Sequence, residues 1–146
     1  MPSGWHGNLQ PGAGMTGIES CPCGSGRTYV ACCGRYIDAG LKPETAEQLM
    51  RSRYSAYVLT RDDYLHRTWH GSTRPAALDL HSSRSGRWLG LKILRTEAGG
   101  RNDRAGVVEF VARYKPSGKA ERLHEVSRFV REEGQWYYVD GDILLS

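Results

Sequence analysis

The chain has 146 residues and a mass of 16.3 kDa, which suits one compact domain with a small appendage and is too short for two full domains. Hydrophobic residues make up 39% and charged residues 25%, and no segment approaches the ~20 apolar residues of a membrane span, so we expect a soluble protein. The formal charge of +4 is the balance of 20 basic and 16 acidic side chains, and the arginines are scattered from Arg27 to Arg131, so nucleic acid is not the expected partner.

Residues 1–17 predict a disordered tail. The segment MPSGWHGNLQPGAGMTG is rich in Gly and Pro and has no periodic apolar face. It also lacks the basic start and the continuous apolar run of a secretory signal, so we expect a cytoplasmic location. Folded structure is therefore expected to begin near residue 18.

All four cysteines lie in the segment CPCGSGRTYVACCG. Cys21 and Cys23 are followed, after eight residues, by the adjacent pair Cys32 and Cys33. Disulfides are disfavoured because the expected compartment is reducing and adjacent cysteines bridge each other only with strain. Four thiols in one tight loop match the tetrahedral thiolate cage that zinc prefers. The spacing therefore predicts one zinc ion, and a redox thiol pair is the alternative.

The residues between the cysteines fit a metal-binding turn. Gly24, Ser25 and Gly26 permit a turn that aims backbone amides at the first two sulfurs, while Arg27 and Arg35 can offset the negative charge of the thiolates. Four protein ligands leave no open coordination position. We therefore expect the zinc to be structural, or to belong to a partner-docking element, and not to be hydrolytic.

The cysteine segment resembles the SEC-C motif, the zinc knuckle at the tail of the SecA translocation ATPase that also occurs in many other bacterial proteins. The resemblance implies that the ligands are Cys21, Cys23, Cys32 and Cys33, with Cys33 standing where SecA often has a histidine. The motif is specific for zinc and only weakly specific for function. It predicts a knuckle domain over residues 18–36, followed by a linker.

A long amphipathic helix is predicted within PETAEQLMRSRYSAYVLT, residues 43–60. Thr45 and Gln48 have the spacing of a capping box at its start. Apolar side chains recur every three or four residues, which indicates one buried face. That face comprises Ala46, Leu49, Met50, Tyr54, Tyr57 and Val58.

A second short helix is predicted within TRDDYLHRTWH, residues 60–70. Thr60 is the expected cap, and Asp62 and Asp63 favour the positive N-terminal end of the helix. A third short helix is expected from Pro75 to about Leu80. The second helix should turn Tyr64, Leu65, Thr68 and Trp69 inward.

From Arg87 onward the apolar period changes to two, which predicts four strands within residues 87–94, 106–114, 122–130 and 136–144. The intervening segments AGGRND, PSGK and EEGQ are rich in hairpin-turn residues, so consecutive strands should pair as an antiparallel meander. The predicted single-face sets are Leu89, Leu91 and Ile93; Val108, Phe110, Ala112 and Tyr114; and His124, Val126, Arg128 and Val130.

Helices followed by an antiparallel sheet predict an α+β domain over residues 43–146. The order resembles the nuclear-transport-factor-2-like cone, in which a curved sheet wraps a long helix and leaves a pocket at its open end. The SEC-C knuckle followed by LMRSRYSAYV, TWHGSTRP, WLGLKIL and GQWYYVDG is similar to the YchJ-type bacterial family of unknown function. Members of that family often carry a second SEC-C knuckle, and this sequence has one cysteine cluster.

The expected pocket defines two classes of function. Its candidate residues are Tyr54, Tyr57, His70, Tyr138 and Asp140, with Glu125 among the other polar side chains that could face it. The favoured class is an interaction module with a structural zinc knuckle, a protein partner and a possible small-molecule ligand. The alternative is an isomerase, dehydratase or hydrolase that uses acid and base side chains in the pocket. No catalytic residue is assigned from the sequence.

Overall fold

The computed structural model describes residues 18–76, 87–115 and 118–144. A cysteine-bearing loop leads into three helices, and a four-stranded sheet follows. The predicted tail over residues 1–17 lies outside the described residues, as does most of the predicted third helix, of which Pro75 and Ala76 are described and are not helical. The elements are α1 (Gly34–Ile37), α2 (Ala46–Val58), α3 (Asp62–Arg67), β1 (Arg87–Ala98), β2 (Ala105–Lys115), β3 (Glu121–Glu132) and β4 (Gln135–Ile143).

The central helix α2 begins at the predicted cap. The Gln48 amide donates to Thr45 Oγ1 at 3.1 Å, and the Gln48 side chain accepts from the amide of Glu44 at 2.7 Å, one residue before the cap. The helix is buried on more than its predicted apolar face, because the knuckle covers a second side of it. Residues buried in α2 are Ala46, Leu49, Met50, Ser52, Arg53, Tyr54, Ser55 and Ala56.

The prediction that Thr60 caps the next helix is wrong. Thr60 has a φ of 53° and its hydroxyl donates to the Leu59 carbonyl at 2.6 Å, while α3 begins at Asp62 after Arg61 without a side-chain cap. The Arg61 amide instead donates to the Ala56 carbonyl at 2.8 Å, which closes the turn directly onto the end of α2. As predicted, α3 and the residue after it bury Tyr64, Leu65 and Thr68.

The four strands form one antiparallel sheet in the order β1-β2-β3-β4, which is the predicted meander. Its core face includes Val108, Phe110 and Ala112 on β2, which are all nearly fully buried. The residues predicted to share one face of β3 lie on the face away from α2. The residues of β3 on the core face include Ser127 and Phe129, which are each 1% exposed.

The expectation that Leu89 shares a face with Leu91 and Ile93 is wrong. The register of β1 against β2 shifts between Trp88 and Gly90, so Leu89 is an extra residue in a bulge and is 39% exposed. A bulge of this kind changes which side chains face the core and increases the local bend of the strand. Trp88 consequently faces the helix side, where its ring contacts those of Tyr54 and Tyr57.

Gly99 and Gly106 let the start of α2 approach the β1–β2 hairpin closely, and a Cβ on Gly106 would lie 3.2 Å from the Cβ of Ala46. The Ala46 amide donates to the Gly99 carbonyl at 2.9 Å, and a Cβ on Gly99 would lie 2.9 Å from the Cβ of Ala46. Gly99 also has a φ of 80°, which other residues rarely adopt. At the other edge of the sheet, the indole of Trp136 on β4 donates to the Glu44 carbonyl at 3.1 Å. These contacts fix α2 across the concave face of the sheet.

Within the described residues, no helix is long and apolar enough to cross a membrane. The buried residues of the knuckle belong to the same hydrophobic core as those of α2 and the sheet. The knuckle therefore packs directly against the helices and shares their hydrophobic core.

Candidate metal centre and cone cavity

The four cysteine side chains meet at one point. Their sulfur atoms all lie within 4.8 Å of one another, and Cys23 Sγ lies 3.6 Å from Cys32 Sγ. A tetrahedral zinc ion with Zn–S bonds of about 2.3 Å needs sulfur–sulfur distances of about 3.8 Å. All four cysteines are at most 5% exposed. The donor set and its spacing therefore fit a four-coordinate metal ion.

A short loop with left-handed glycines brings the cysteines together. Gly24 and Gly26 have φ values of 80° and 89°. The Cys21 amide donates to the Arg27 carbonyl at 2.9 Å, which closes the loop, and the Gly24 amide donates to the Cys21 carbonyl at 3.2 Å. The glycine pattern predicts amides in this turn that point at the sulfur atoms. The Gly24 amide donates to a carbonyl oxygen instead.

Side chains provide the hydrogen bonds to sulfur within the described part of the chain. Ser25 Oγ lies 3.2 Å from Cys32 Sγ, and Ser55 Oγ lies 3.6 Å from Cys21 Sγ. Arg51 Nη1 donates to the Cys23 carbonyl at 2.9 Å and lies 3.7 Å from Cys23 Sγ. Outer groups of this kind orient metal ligands and tune their basicity. Two of the three belong to α2, so the helix of the cone completes the site.

The sequence did not identify Arg51 and Ser55 as neighbours of the cysteines. They are four residues apart and therefore lie on one face of α2, together with Glu47, which accepts from Arg51 Nε at 3.0 Å. The signal was a polar stripe on a helix whose apolar face was already assigned. Because that stripe could equally have faced water, only the position of the knuckle identifies it as part of the site.

The four thiols shift one another's pKa values. Hydrogen bonding with Cys21 is the main cause that lowers the pKa of Cys23 to about 6, and contact with the same thiol also lowers the pKa of Cys32. The pKa values of Cys21 and Cys33 are raised by the corresponding contacts. A metal ion bound here would displace the remaining protons, since cysteine binds metals as the thiolate.

The outer side of the knuckle is fixed by Tyr29. Its hydroxyl donates to Asp38 Oδ2 at 2.9 Å, and Arg61 Nη1 donates to Asp38 Oδ1 at 2.7 Å. The Tyr29 ring packs on Gly34, where an added Cβ would lie 2.9 Å from the Tyr29 carbonyl oxygen and 3.0 Å from the ring. These contacts join the knuckle to the loop that precedes α3.

A cavity of about 210 Å³ lies between α2 and the concave face of the sheet. Of the predicted pocket residues, Tyr54, Tyr57 and Tyr138 line it. The polar lining also includes Arg53, Glu125 and Ser127. The remaining lining residues are Met50, Trp69, Trp88, Phe110, Ala112 and Leu123.

The carboxylate of Glu125 is held by two hydroxyl groups. Glu125 Oε2 accepts from Ser127 Oγ at 2.8 Å and from the Tyr138 hydroxyl at 3.1 Å. Burial is the main cause that raises the pKa of Tyr138, and the neighbouring carboxylate raises it further, so the phenol keeps its proton. The cavity therefore contains a carboxylate within hydrogen-bonding distance of a protonated tyrosine.

The structure positions His70 outside this lining. His70 Nε2 lies 3.0 Å from Glu132 Oε2, and His70 Nδ1 lies 2.7 Å from Ser72 Oγ. Its amide donates to the Tyr138 carbonyl at 2.7 Å, so the backbone turns the imidazole toward the end of β3. Both ring nitrogens thus have partners away from the cavity.

Asp140 also lies away from the cavity, because a register shift in β4 precedes it. Asp140 pairs with Arg128 on the outer face of the sheet, with Asp140 Oδ1 2.6 Å from Arg128 Nε. Arg128 Nη1 also donates to Asp142 at 3.0 Å. These contacts make Asp140 part of a surface ion-pair network.

Two buried donors beside the cavity have no hydrogen-bond partner among the described residues. They are the hydroxyl of Tyr54 and the indole nitrogen of Trp69. Burial raises the pKa of Tyr54, and the nearby Gly90 amide offsets this only in part. The indole nitrogen of Trp69 is therefore a buried donor without an acceptor among the described residues, and the Tyr54 hydroxyl has only the Gly90 backbone beside it.

Comparisons with known proteins agree with the fold and the site. A family model for the SEC-C motif matches residues 19–35, and a model described as the YchJ middle NTF2-like domain matches residues 45–141. The fold and the cysteine cluster together define a SEC-C-motif protein with a nuclear-transport-factor-2-like domain. The chain belongs to the YchJ-type family, whose relatives carry the name UPF0225 protein.

Two bacterial relatives illustrate the match. The UPF0225 protein of Chromobacterium violaceum is 58% identical over 124 residues, which cover 84% of this chain and 91% of that one. A UPF0225 protein of Bordetella parapertussis is 53% identical, with 85% of this chain and 92% of that one covered.

Two solved structures share the architecture. The solution structure of a SEC-C motif containing protein from Rhodopseudomonas palustris is 34% identical with a TM-score of 0.75, covering 86% of this chain and 98% of that one. The crystal structure of a sec-c motif containing protein from Psychrobacter arcticus is 28% identical with a TM-score of 0.71, covering 89% and 85%.

Proposed function

We propose that this chain is a zinc-dependent interaction module, in which one structural zinc ion held by Cys21, Cys23, Cys32 and Cys33 fixes a docking knuckle on the cone domain. The observation that carries the proposal is the convergence of four sulfurs within 4.8 Å on a buried face of α2. An all-thiolate set favours zinc over calcium or magnesium, which prefer oxygen ligands. With four protein ligands, the ion has no position for water or substrate.

Charge balance supports zinc at this position. Four thiolates and one divalent ion carry a net charge of about −2. Arg51 approaches the cage at Cys23, and Arg35 Nε donates to the Cys32 carbonyl at 2.9 Å. Two cationic side chains therefore lie where the anionic cage would need them.

The metal test uses protein purified without added metal. We expect about one equivalent of zinc per chain by elemental analysis, and replacement by Co²⁺ should give the absorption of a tetrahedral thiolate site. Cys23→Ser should lose most of the metal, whereas Lys119→Ala, a change in the exposed turn before β3, should not. A zinc content below half an equivalent in the unaltered protein would refute the metal proposal.

The proposed docking surface is the exposed side of the knuckle. Val30 is 63% exposed and Ile18 is 82% exposed although both are apolar. Glu19 follows Ile18 and Tyr29 precedes Val30. The Tyr29 amide donates to the Glu19 carbonyl at 2.8 Å, so this hydrogen bond holds the two apolar residues on neighbouring segments. An apolar surface held on a rigid zinc loop suits a protein partner, because the loop loses little conformational freedom on binding.

The docking test places a photo-crosslinking amino acid at Val30. The matched control carries it at Ile143, an apolar residue that is 56% exposed at the end of the sheet. We expect a discrete crosslinked partner from Val30 that disappears with Ile18→Asp, and no such product from Ile143. Identical products from both positions, or none from Val30, would contradict the docking role.

The cone cavity supports a second candidate function, the binding or conversion of a small molecule. Concave sites with apolar walls and a few polar groups are typical of ligand binding. Glu125 and Tyr138, bonded at 3.1 Å, have the character of a base and a proton donor for acid–base chemistry. His70 is not needed for this candidate. A soaked or co-purified ligand bound between α2 and the sheet would support it, and a protein that binds no small molecule would refute it.

A further inference from the structure

The cavity contains a buried arginine that has no acidic partner among the described residues. Arg53 is 3% exposed, and it takes part in none of the ion pairs within residues 18–76, 87–115 and 118–144. Its Nη1 donates to the Leu65 carbonyl at 2.9 Å and to Thr68 Oγ1 at 2.7 Å. The Tyr57 hydroxyl is a further hydrogen-bonding neighbour of the guanidinium, and it is neutral. Arg53 therefore lines the cavity without a carboxylate partner among these residues.

Among the described residues, the groups that contact the Arg53 guanidinium are neutral. The guanidinium carbon lies 5.1 Å from the ring centre of Trp69 and 4.8 Å from that of Tyr138. Aromatic faces attract a cation, but they do not neutralise it. Burial disfavours the charged form, yet an arginine keeps its proton in proteins. An anionic group in the cavity would supply the missing compensation.

Glu125 does not take this role. Its carboxylate lines the same cavity, but it accepts from Ser127 and Tyr138 and makes no ion pair with Arg53. Tyr138 lies between the two charges, with its hydroxyl on Glu125 and its ring face on Arg53. The cavity therefore has a cationic side at α2 and an anionic side at β3.

The volume and walls of the cavity limit the ligand. A cavity of about 150 Å³ holds a benzene molecule in other proteins, so about 210 Å³ accommodates one aromatic ring with a small substituent. Trp88, Phe110 and Leu123 provide an apolar wall for such a ring. A planar carboxylate matches the fork of a guanidinium.

We propose that the cavity binds a small aromatic carboxylate, with its ring against Trp88 and Phe110 and its carboxylate on Arg53. The proposal rests on the cavity being a ligand site, the second candidate function above, and adds the chemical class of the ligand. Repulsion from Glu125 sets the orientation, because the carboxylate must turn toward α2 and away from β3.

The test compares benzoate, benzamide and benzamidine, which share a ring and have charges of −1, 0 and +1. Binding to the full-length, zinc-loaded protein is measured by ligand-detected NMR and calorimetry. We expect benzoate to bind at least tenfold more tightly than benzamide, and benzamidine to bind most weakly. Leu123→Trp fills the cavity from the sheet side and should abolish binding of all three, which locates the site.

Two variants test the charges separately. Arg53→Met should make benzoate no tighter than benzamide. If that variant does not fold, Glu125→Gln carries the test, because removing the negative side of the cavity should tighten benzoate severalfold and leave benzamide nearly unchanged. Loss of benzoate affinity in Glu125→Gln would contradict the proposed orientation.

The outcomes distinguish the ligand class from the cavity function. Equal affinities for benzoate and benzamide would overturn the carboxylate class and leave the cavity as a ligand site. Benzamidine binding as tightly as benzoate would also overturn the class, since Glu125 would then dominate. Failure of all three rings to bind would overturn the aromatic carboxylate, whereas the cavity function fails only if the protein binds no small molecule at all.

Discussion

Arg51 Nη1 donates to the carbonyl oxygen of Cys23 at 2.9 Å and lies 3.7 Å from the sulfur of the same residue. The arginine belongs to α2, the central helix of the cone, and the cysteine belongs to the knuckle. The same arginine pairs with Glu47 one turn earlier, which holds its side chain in place. One side chain thus joins the metal centre to the domain that carries the cavity.

Arg51→Met should weaken metal retention without removing a ligand. Loss of an outer hydrogen bond to a metal site typically costs ten- to a hundredfold in affinity, so we expect faster zinc transfer to a chromogenic chelator. The matched control is Arg67→Met, an exposed arginine that pairs with Asp63 on the surface. Equal transfer rates for the two variants would show that Arg51 does not act on the cage.

Zinc removal should loosen both the knuckle and the face of α2 that it covers. Structural zinc contributes about 10 to 16 kcal/mol to the ordering of small zinc-binding peptides. Because the cysteines and Leu49 belong to one core, we expect faster hydrogen exchange in residues 20–38 and 47–55 after chelation. Exchange in β2 and β3 should change little. Faster exchange confined to residues 20–38 would show that the two parts are energetically independent.

Gly34→Ala should destabilise the protein by about 1 to 3 kcal/mol, because the new methyl group would be forced against the Tyr29 carbonyl and ring. Gly118→Ala is the control, since nothing lies within 4 Å of a Cβ built there. The measurement is chemical denaturation of the zinc-loaded proteins. A Gly34→Ala variant as stable as the control would mean that Tyr29 moves without cost.

Thr45→Ala should cost about 1 kcal/mol, as expected for loss of a helix cap, because its hydroxyl oxygen accepts from the Gln48 amide. Thr60→Ala should change the free energy of unfolding by much less, since the Thr60 hydroxyl bonds only to the carbonyl of the preceding residue. Thermal denaturation at one pH compares the two. Equal losses would contradict the assignment of Thr45 as a cap and Thr60 as a turn residue.

Glu109 should stabilise the sheet at neutral pH and lose this effect in acid. The contact with His124 at 2.7 Å, and after it the contact with Arg95 at 2.8 Å, lowers the pKa of its carboxyl below the ordinary value. A depressed folded-state pKa gives stability that is present above the unfolded-state pKa and is lost as the pH falls through the folded-state value. Glu109→Gln should therefore lower the Tm at pH 7 and have a smaller effect near pH 3. An equal effect at both pH values would contradict the ionic contribution.

The cysteine spacing determined the four-cysteine cluster because all four cysteines lie within 13 consecutive residues. The period of two determined the strands, and the turn residues between them determined an antiparallel meander. Thr45 was identified as a cap because capping depends on residues only three apart. Each of these features is local, so the order of residues along the chain contains the information.

Tertiary structure decided the features that depend on distant partners. Arg51 and Arg53 are two residues apart on α2, yet one faces the knuckle and the other lines the cavity, and their helix positions alone do not distinguish these roles. Bulges in β1 and β4 moved Leu89 out of the core and placed Asp140 on the outer face. A single extra residue reverses the side on which the following side chains lie, and whether it is accommodated depends on pairing with the neighbouring strand. The packing of α2 against both the knuckle and the sheet therefore decided where the charged side chains lie.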